Sequence, residues 1–208
     1  MSISSGTVLY HPLGTLKAVP KLWTETIEEH HRAVRHATLE AAVALVEKNG
    51  LRSVTMSQIA SETGIGRATL YKYFKNVEAI LLAWHESHVN AHLHHLTSLG
   101  QQPGTPLKRL ETVLEAYALI QHRLRLARGS ELSTFLHQDK RVAGAQQHLR
   151  KVLNGLIAEG IASRVLREDV SADELASYCQ SALGAAVNLH SRAAVHRLVK
   201  VILTGLRR

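Results

Sequence analysis

Residues 55–75, T-M-S-Q-I-A-S-E-T-G-I-G-R-A-T-L-Y-K-Y-F-K, hold two short helical patterns on either side of a glycine turn. Thr55 followed three residues later by Gln58 is a capping box, in which each side chain satisfies a backbone N–H of the first turn. A helix is therefore predicted from Met56. Ile59 and Ala60 fall on its inward side, and Gly64 stops it, because glycine accepts the left-handed backbone of a sharp turn without a Cβ clash. Ile65 plugs the turn. A second helix is expected from Gly66 or Arg67, with Leu70 and Phe74 as its buried pair. Two helices joined this way form a helix-turn-helix, and the exposed side of the second carries the polar, basic and aromatic groups that suit a DNA major groove.

On the N-terminal side, Ile27, Val34, Thr38, Ala41, Leu45 and Val46 recur near three- and four-residue spacing and predict a helix over residues 23–47. Asn49-Gly50 ends it, and Leu51 with Val54 anchors the bridge into the motif. Its early part, with Glu25, Glu28, Glu29, His30, His31 and Arg32, makes the helix longer than a three-helix unit needs; it either lies along DNA or is a solvated face, and the solvated face is the favoured reading. On the C-terminal side, Asn76 is a cap for a helix over 77–98, with Glu78 complementing the helix dipole. Residues 100–106 read as a loop in which Thr105-Pro106 supplies cap and first-turn proline. Further helices are predicted over 107–126 (Leu110, Val113, Leu114, Tyr117 and Ile120 on one side), 131–137 after a break at Gly129-Ser130, and 139–159 ending at Gly160. Ser171 with Glu174 is a second capping box that opens a helix to 189, and a last helix covers 192–206. With no strand-like alternation and no internal repeat, the expected fold is all-α. Residues 1–20, with Gly6, Pro12, Gly14 and Pro20, read as a flexible arm.

A chain of 208 residues can bury one small and one larger helical unit. No apolar run approaches the length of a membrane span and the N-terminus lacks a signal arrangement, so an uncleaved cytoplasmic protein without a membrane partner is expected. The single cysteine, Cys179, excludes an internal disulfide and any cysteine-based zinc site, and its small neighbours mark it as a packing residue. The net charge of +8 is unevenly placed. Residues 1–97 hold nine Lys or Arg against eight acids, and residues 98–208 hold sixteen against nine. Within the motif, however, Lys48, Arg52, Arg67, Lys72 and Lys75 face only Glu62, a local bias that fits phosphate contact.

The run T-L-Y-K-Y-F at 69–74, after G-I-G-R-A at 64–68, resembles the DNA-binding motif of the tetracycline-repressor-like (TetR) family of bacterial transcriptional regulators, and the pattern extends over about 34–84. The resemblance implies three units. These are the arm (1–20), a three-helix DNA-binding domain with an extended first helix (21–76), and a helical effector-binding and dimerisation domain (77–208). It further implies a homodimer through the last two helices, a double-stranded DNA operator, an unidentified small-molecule effector and no required cofactor. Tyr71, Tyr73 and Lys75 match family positions that contact the DNA backbone, with Thr55 at the mouth of the preceding helix. One departure is Gly66, where relatives carry a Ser or Thr cap; glycine is a weaker cap and offers no hydroxyl to a phosphate.

Read from chemistry alone, Arg67 is the candidate base reader, since a guanidinium there can bridge guanine O6 and N7, a discrimination of about 1–3 kcal/mol. Thr69 is placed for a thymine methyl or a phosphate, and Lys72 projects from the next turn. Thr55 and Asn76 sit at helix N-termini, where free N–H groups position phosphates. Each tyrosine has an alternative role as a wedge against the first helix. Leu175, Ala182, Leu183, Ala186 and Leu189, then Val195, Leu198, Val199, Ile202 and Leu206, give the last two helices apolar sides that suit either the monomer core or a partner.

His85, His88, His92 and His95 fall within an arc of roughly 80° on one helix side. His88, His92 and His95 are candidate effector-lining residues, and the i, i+4 spacing of the first two, with His95 as a third ligand, also admits a metal-sensing alternative. Tyr117, His122, Arg125, Phe135 and Tyr178 are scattered further candidates for the effector pocket. The leading reading is a ligand-released repressor acting as a homodimer on a near-palindromic operator. An alternative is a small-molecule or metal-sensing helical dimer in which DNA reading is lost or secondary. An enzyme is disfavoured, since Gly64-Ile65-Gly66 lacks the third glycine and preceding strand of a dinucleotide loop and no Ser/His/Asp or Walker pattern occurs.

Overall fold

A computed structural model describes residues 21–127, 131–136 and 141–208. The expected arm over residues 1–20, the Gly129-Ser130 break, His137 and Asp139 lie outside the described residues. The first helix, α1 (Lys21–Asn49), is followed by Gly50 at φ 83 and a 3-10 turn over Leu51–Ser53. The capping box then opens α2 (Met56–Thr63): Gln58 N–H donates to Thr55 Oγ1 at 3.3 Å, and Thr55 N–H donates to Gln58 Oε1 at 2.8 Å. Gly64 ends α2 in the left-handed region at φ 68. The recognition helix, α3 (Arg67–Tyr73), runs into Phe74, whose extended backbone breaks the helical path. Asn76 Oδ1 then accepts from Ala79 N–H at 2.9 Å and starts α4 (Val77–Gly100).

These elements close a first core from Leu39, Ala42, Val43 and Val46 of α1, Ile59 of α2, Leu70 of α3, Phe74, and Ile80 and Leu81 of α4. Ile59, Leu70, Ile80 and Leu81 are fully buried, each stabilising the unit by about 1.5–3 kcal/mol. Leu132 and Leu136 of α6 (Glu131–Leu136) pack into the same core. A second core forms where α4, through Leu96, meets α5 (Pro106–Ala127), α7 (Arg141–Ala162), α8 (Ala172–Gly184) and α9 (Arg192–Leu206). Thus α4 contributes to both interiors. Trp84 of α4 also donates through Nε1 to Glu40 of α1 at 3.0 Å.

Three helix ends depart from expectation, each for a packing reason. α4 continues through Gly100, because that glycine is buried with Leu156 and Val152 atoms 3.5 Å from where a Cβ would stand, and Arg109 Nη1 donates to its carbonyl at 3.0 Å. α7 runs through Gly160 to Ala162. Gly160 is a site of close approach rather than a stop: Leu166 packs where its Cβ would be, and Val165 and Leu166 N–H donate to its carbonyl at 3.1 and 3.2 Å. α8 gives way at Gly184 to a 3-10 turn over Ala185–Asn188 that packs against α5 and buries Ala186 and Val187. The second capping box is present, with Glu174 N–H donating to Ser171 Oγ at 3.3 Å and Ser171 N–H to Glu174 Oε2 at 3.1 Å. Among the described residues the extended structure is an isolated bridge between Leu166 and Arg207, and no helix is long and apolar enough to cross a membrane.

Candidate nucleic-acid interface

Leu70 and Phe74 hold α3 to the first core from one side, so the opposite side is turned to solvent. Arg67, Thr69, Tyr71, Lys72 and Tyr73 are all exposed, and Lys75 follows just beyond the helix. Gly66 caps α3 with backbone only, as expected for a residue with no side-chain acceptor. The Arg67 guanidinium lies 5.7 Å from the Tyr71 ring centroid, a cation–π contact that orients it while leaving N–H donors for a base edge. Thr55 is exposed, but its hydroxyl serves the capping box, so a phosphate there would share it.

The two tyrosines differ. Tyr71 is 46% exposed, and its ring faces the Arg67 guanidinium. Tyr73 is 37% exposed and meets the His31 ring edge-on at 5.9 Å, so it both wedges against α1 and reaches outward. Beside it, the Arg35 guanidinium lies 5.6 Å from the Phe74 ring centroid. Arg35 and His31 are not among the residues that the sequence marks for this site. The available signal is the i, i+4 spacing that continues the buried face of α1 toward its N-terminus.

The candidate effector residues do not form one set. His88 is half-buried, with Nδ1 3.1 Å from Trp84 O and its ring 4.1 Å from the indole. His92 and His95 reach solvent. Partial burial, then the neighbouring His88, Arg123, His95 and His85, lower the His92 pKa below the usual histidine value. Among the described residues no group of three His, Cys, Asp or Glu is placed to hold a metal ion, and His88, His92 and His95 do not converge as such a group. Tyr117 is half-buried; burial raises its pKa, opposed by a hydrogen bond with Gln121. Among the described residues, the buried Nδ1 of His122 has no hydrogen-bond partner. Phe135 packs against the first core instead of the second. Tyr178 is 45% exposed on the outer side of α8, with its hydroxyl 3.6 Å from the Cβ position of Gly205 on α9. The Arg125 side chain lies outside the described residues. An open cavity of about 540 Å³ between α1 and α2, bounded by Glu40, Lys48, Glu62 and Thr63 among others, includes none of these eight.

The apolar sides of the last two helices largely serve the monomer. Leu175, Leu183, Ala186, Val195, Val199, Ile202 and Leu206 are buried in the second core. A narrower strip remains outside: exposed Tyr178 and Ala185, half-buried Ala182, and on α9 half-buried Ala194 and Leu198 with exposed Val201 and Gly205. Cys179 is buried, and that burial pushes its thiol pKa up to about 12.

Residues 39–84 match the family model described as bacterial regulatory proteins, tetR family. The fatty acid metabolism regulator protein of Bacillus subtilis is 25% identical over 134 residues, covering 62% of this chain and 69% of that one. The HTH-type transcriptional repressor KstR of Mycolicibacterium smegmatis is 25% identical over 149 residues, 70% of this chain and 72% of the relative. Among solved structures, a TetR/AcrR-family regulator from Thermobifida fusca superposes with a TM-score of 0.68 at 20% identity, over 84% of this chain and 98% of that one. FadR of Bacillus subtilis, solved in complex with stearoyl-CoA, gives 0.59 at 19% identity over 83% and 99%. The outward-facing recognition helix lies within residues 39–84, the segment that matches the tetR family of bacterial regulatory proteins, and the chain as a whole shares its fold with a TetR/AcrR-family regulator.

Proposed function

We propose that the chain is a ligand-released transcriptional repressor that binds a near-palindromic operator as a homodimer. The observation that carries this reading is α3: Leu70 and Phe74 fix it from within, and Arg67, Thr69, Tyr71, Lys72 and Tyr73 stand outward with no carboxylate among them. In this reading Arg67 reads a base, Thr69 touches a methyl group or phosphate, and Tyr71, Lys72, Tyr73, Lys75 and Thr55 hold the backbone. One such helix spans too few base pairs for useful selectivity, which favours a pair of them about 34–36 Å apart on successive major grooves. The strip of Tyr178, Ala182, Ala185, Leu198 and Val201 on α8 and α9 is the surface we assign to the partner copy, because it leaves apolar atoms in water that a second strip would cover.

The effector we infer is a largely apolar small molecule held by the helical domain beyond residue 76. Support comes from relatives: the FadR structure carries stearoyl-CoA and a further structural neighbour, SmeT, carries triclosan. Binding would release DNA only by favouring a dimer geometry that no longer spans two grooves. The test is selection of bound duplexes from a random pool by the purified protein. A two-fold symmetric site is expected. The variant Arg67→Ala/Lys72→Ala should remain a folded dimer and lose selective binding, and unchanged selectivity would overturn the assignment. Stearoyl-CoA, as probe, should raise the melting temperature and weaken duplex binding together; stabilisation without release would overturn the regulatory part.

A further inference from the structure

The face of α1 that fills the first core continues past the point where that core ends. Val46, Val43, Ala42 and Leu39 occupy one side of the helix and are buried. At about 100° per residue, the same side runs N-terminally through Arg35, Arg32, His31 and Glu28, which are exposed. An apolar stripe thus becomes a mainly basic one as the helix overhangs the domain. Two contacts fix where the overhang lies: Arg35 is stacked over Phe74, and His31 meets Tyr73 edge-on. Those two aromatics end α3, whose outer side carries Arg67 and Lys72. The overhang precedes residue 39, where the family match begins.

Among the described residues neither Arg32 nor Arg35 has a carboxylate partner. A guanidinium stacked on an aromatic ring keeps its N–H edge available for a phosphate, and the stack removes part of the entropy that an exposed arginine would lose on binding. Glu28 shares the face and offsets some of this charge. We propose that the N-terminal half of α1 is a second DNA-contacting element, in which Arg32 and Arg35, with His31, bind backbone phosphates flanking the bases faced by α3. The assignment rests on the DNA-binding reading above and extends its footprint beyond the helix-turn-helix.

Phosphate contacts are independent of sequence, so a fluorescent mixed-sequence duplex is a sufficient probe, followed by anisotropy with the full chain over a range of potassium chloride concentrations. Removing one phosphate contact lowers the slope of log affinity against log salt by about 0.9, equivalent to roughly eightfold weaker binding at 0.1 M salt. Arg32→Ala, which removes no packed neighbour, should show that decrement for each protomer engaged, and Arg32→Ala/Arg35→Ala twice as much. Arg35→Lys keeps the charge and should keep most of the slope, while Glu28→Gln should tighten binding. Circular dichroism checks that each variant is folded. If the wild type binds with a clear salt slope and the double variant has the same slope, the α1 contact is refuted while the role of α3 stands. If the wild type shows no salt-dependent duplex binding, the DNA-binding reading itself falls and this inference with it.

Discussion

Gly155 and Gly160 lie five residues apart on α7, yet alanine should stabilise the protein at the first and bring no gain, or a loss, at the second. In a helix interior alanine is favoured over glycine by about 1 kcal/mol, because the unfolded glycine chain has more freedom to lose. At Gly155 nothing among the described residues lies within 4 Å of the added Cβ, so the full gain is expected. At Gly160 the Cβ would stand 2.5 Å from Leu166 Cδ1 and 2.8 Å from its Cγ. Leu166 is 1% exposed, and its backbone is held by hydrogen bonding to Gly160 and the bridge to Arg207, so it has little room to retreat. Overpacking of that kind costs about 1–3 kcal/mol, which outweighs or cancels the propensity gain. The two variants should therefore differ by about 1–3 kcal/mol, with Gly155→Ala the more stable, and by roughly 2–4 °C in melting temperature for each kcal/mol. Urea unfolding at one fixed protein concentration measures this directly, since the midpoint of the proposed dimer would depend on concentration. A Gly160→Ala protein as stable as Gly155→Ala would show that Gly160 does not limit the approach of Leu166.

Further outcomes can be checked independently. Thr55→Ala should cost about 1 kcal/mol by opening the capping box, whereas Thr55→Ser should retain most of it, as read by chemical denaturation. The lowered pKa of His92 gives a sign for acid sensitivity: the unfolded chain takes up that proton near its ordinary value of 6.5 while the folded chain still resists it. Stability is therefore present above that pH and lost as pH falls through it, and His92→Asn should flatten the fall in melting temperature on acidification. Cys179, with its thiol pushed up to about 12, should resist alkylation at neutral pH until denaturant is added, since the thiolate is the nucleophile; rapid native labelling would contradict its burial. Val201→Arg, at a site 65% exposed on α9, should leave the monomer folded and shift sedimentation toward it; an unchanged dimer would move the partner surface elsewhere.

Local backbone chemistry explains what could be read from the chain. The Thr55–Gln58 and Ser171–Glu174 boxes, the Asn76 cap and the left-handed Gly64 each act within four residues, and all four are found where spacing places them. The recognition helix followed because its buried pair, Leu70 and Phe74, is also local. Gly100 and Gly160 mislead for a complementary reason: whether glycine ends a helix or admits a neighbour depends on residues beyond its own helix, such as Leu156 beside Gly100. The effector candidates were the least legible, because helical spacing says which residues share a side but not which core that side meets. Phe135 thus lies with the first core, and Tyr178 on the outer surface. His31 and Arg35 show the same limit, since their significance comes from Tyr73 and Phe74, about forty positions along the chain.

Leu132 and Leu136, borne on the short α6, complete the interior that α1 to α4 begin. Residues 21–76 cut out alone, or grafted onto the helical body of a relative, would leave an unfilled hollow and bare leucine-facing surface at that spot. A chimera meant to exchange operator preference should accordingly carry residues 131–136 together with the first four helices, or restore matching bulk in the recipient.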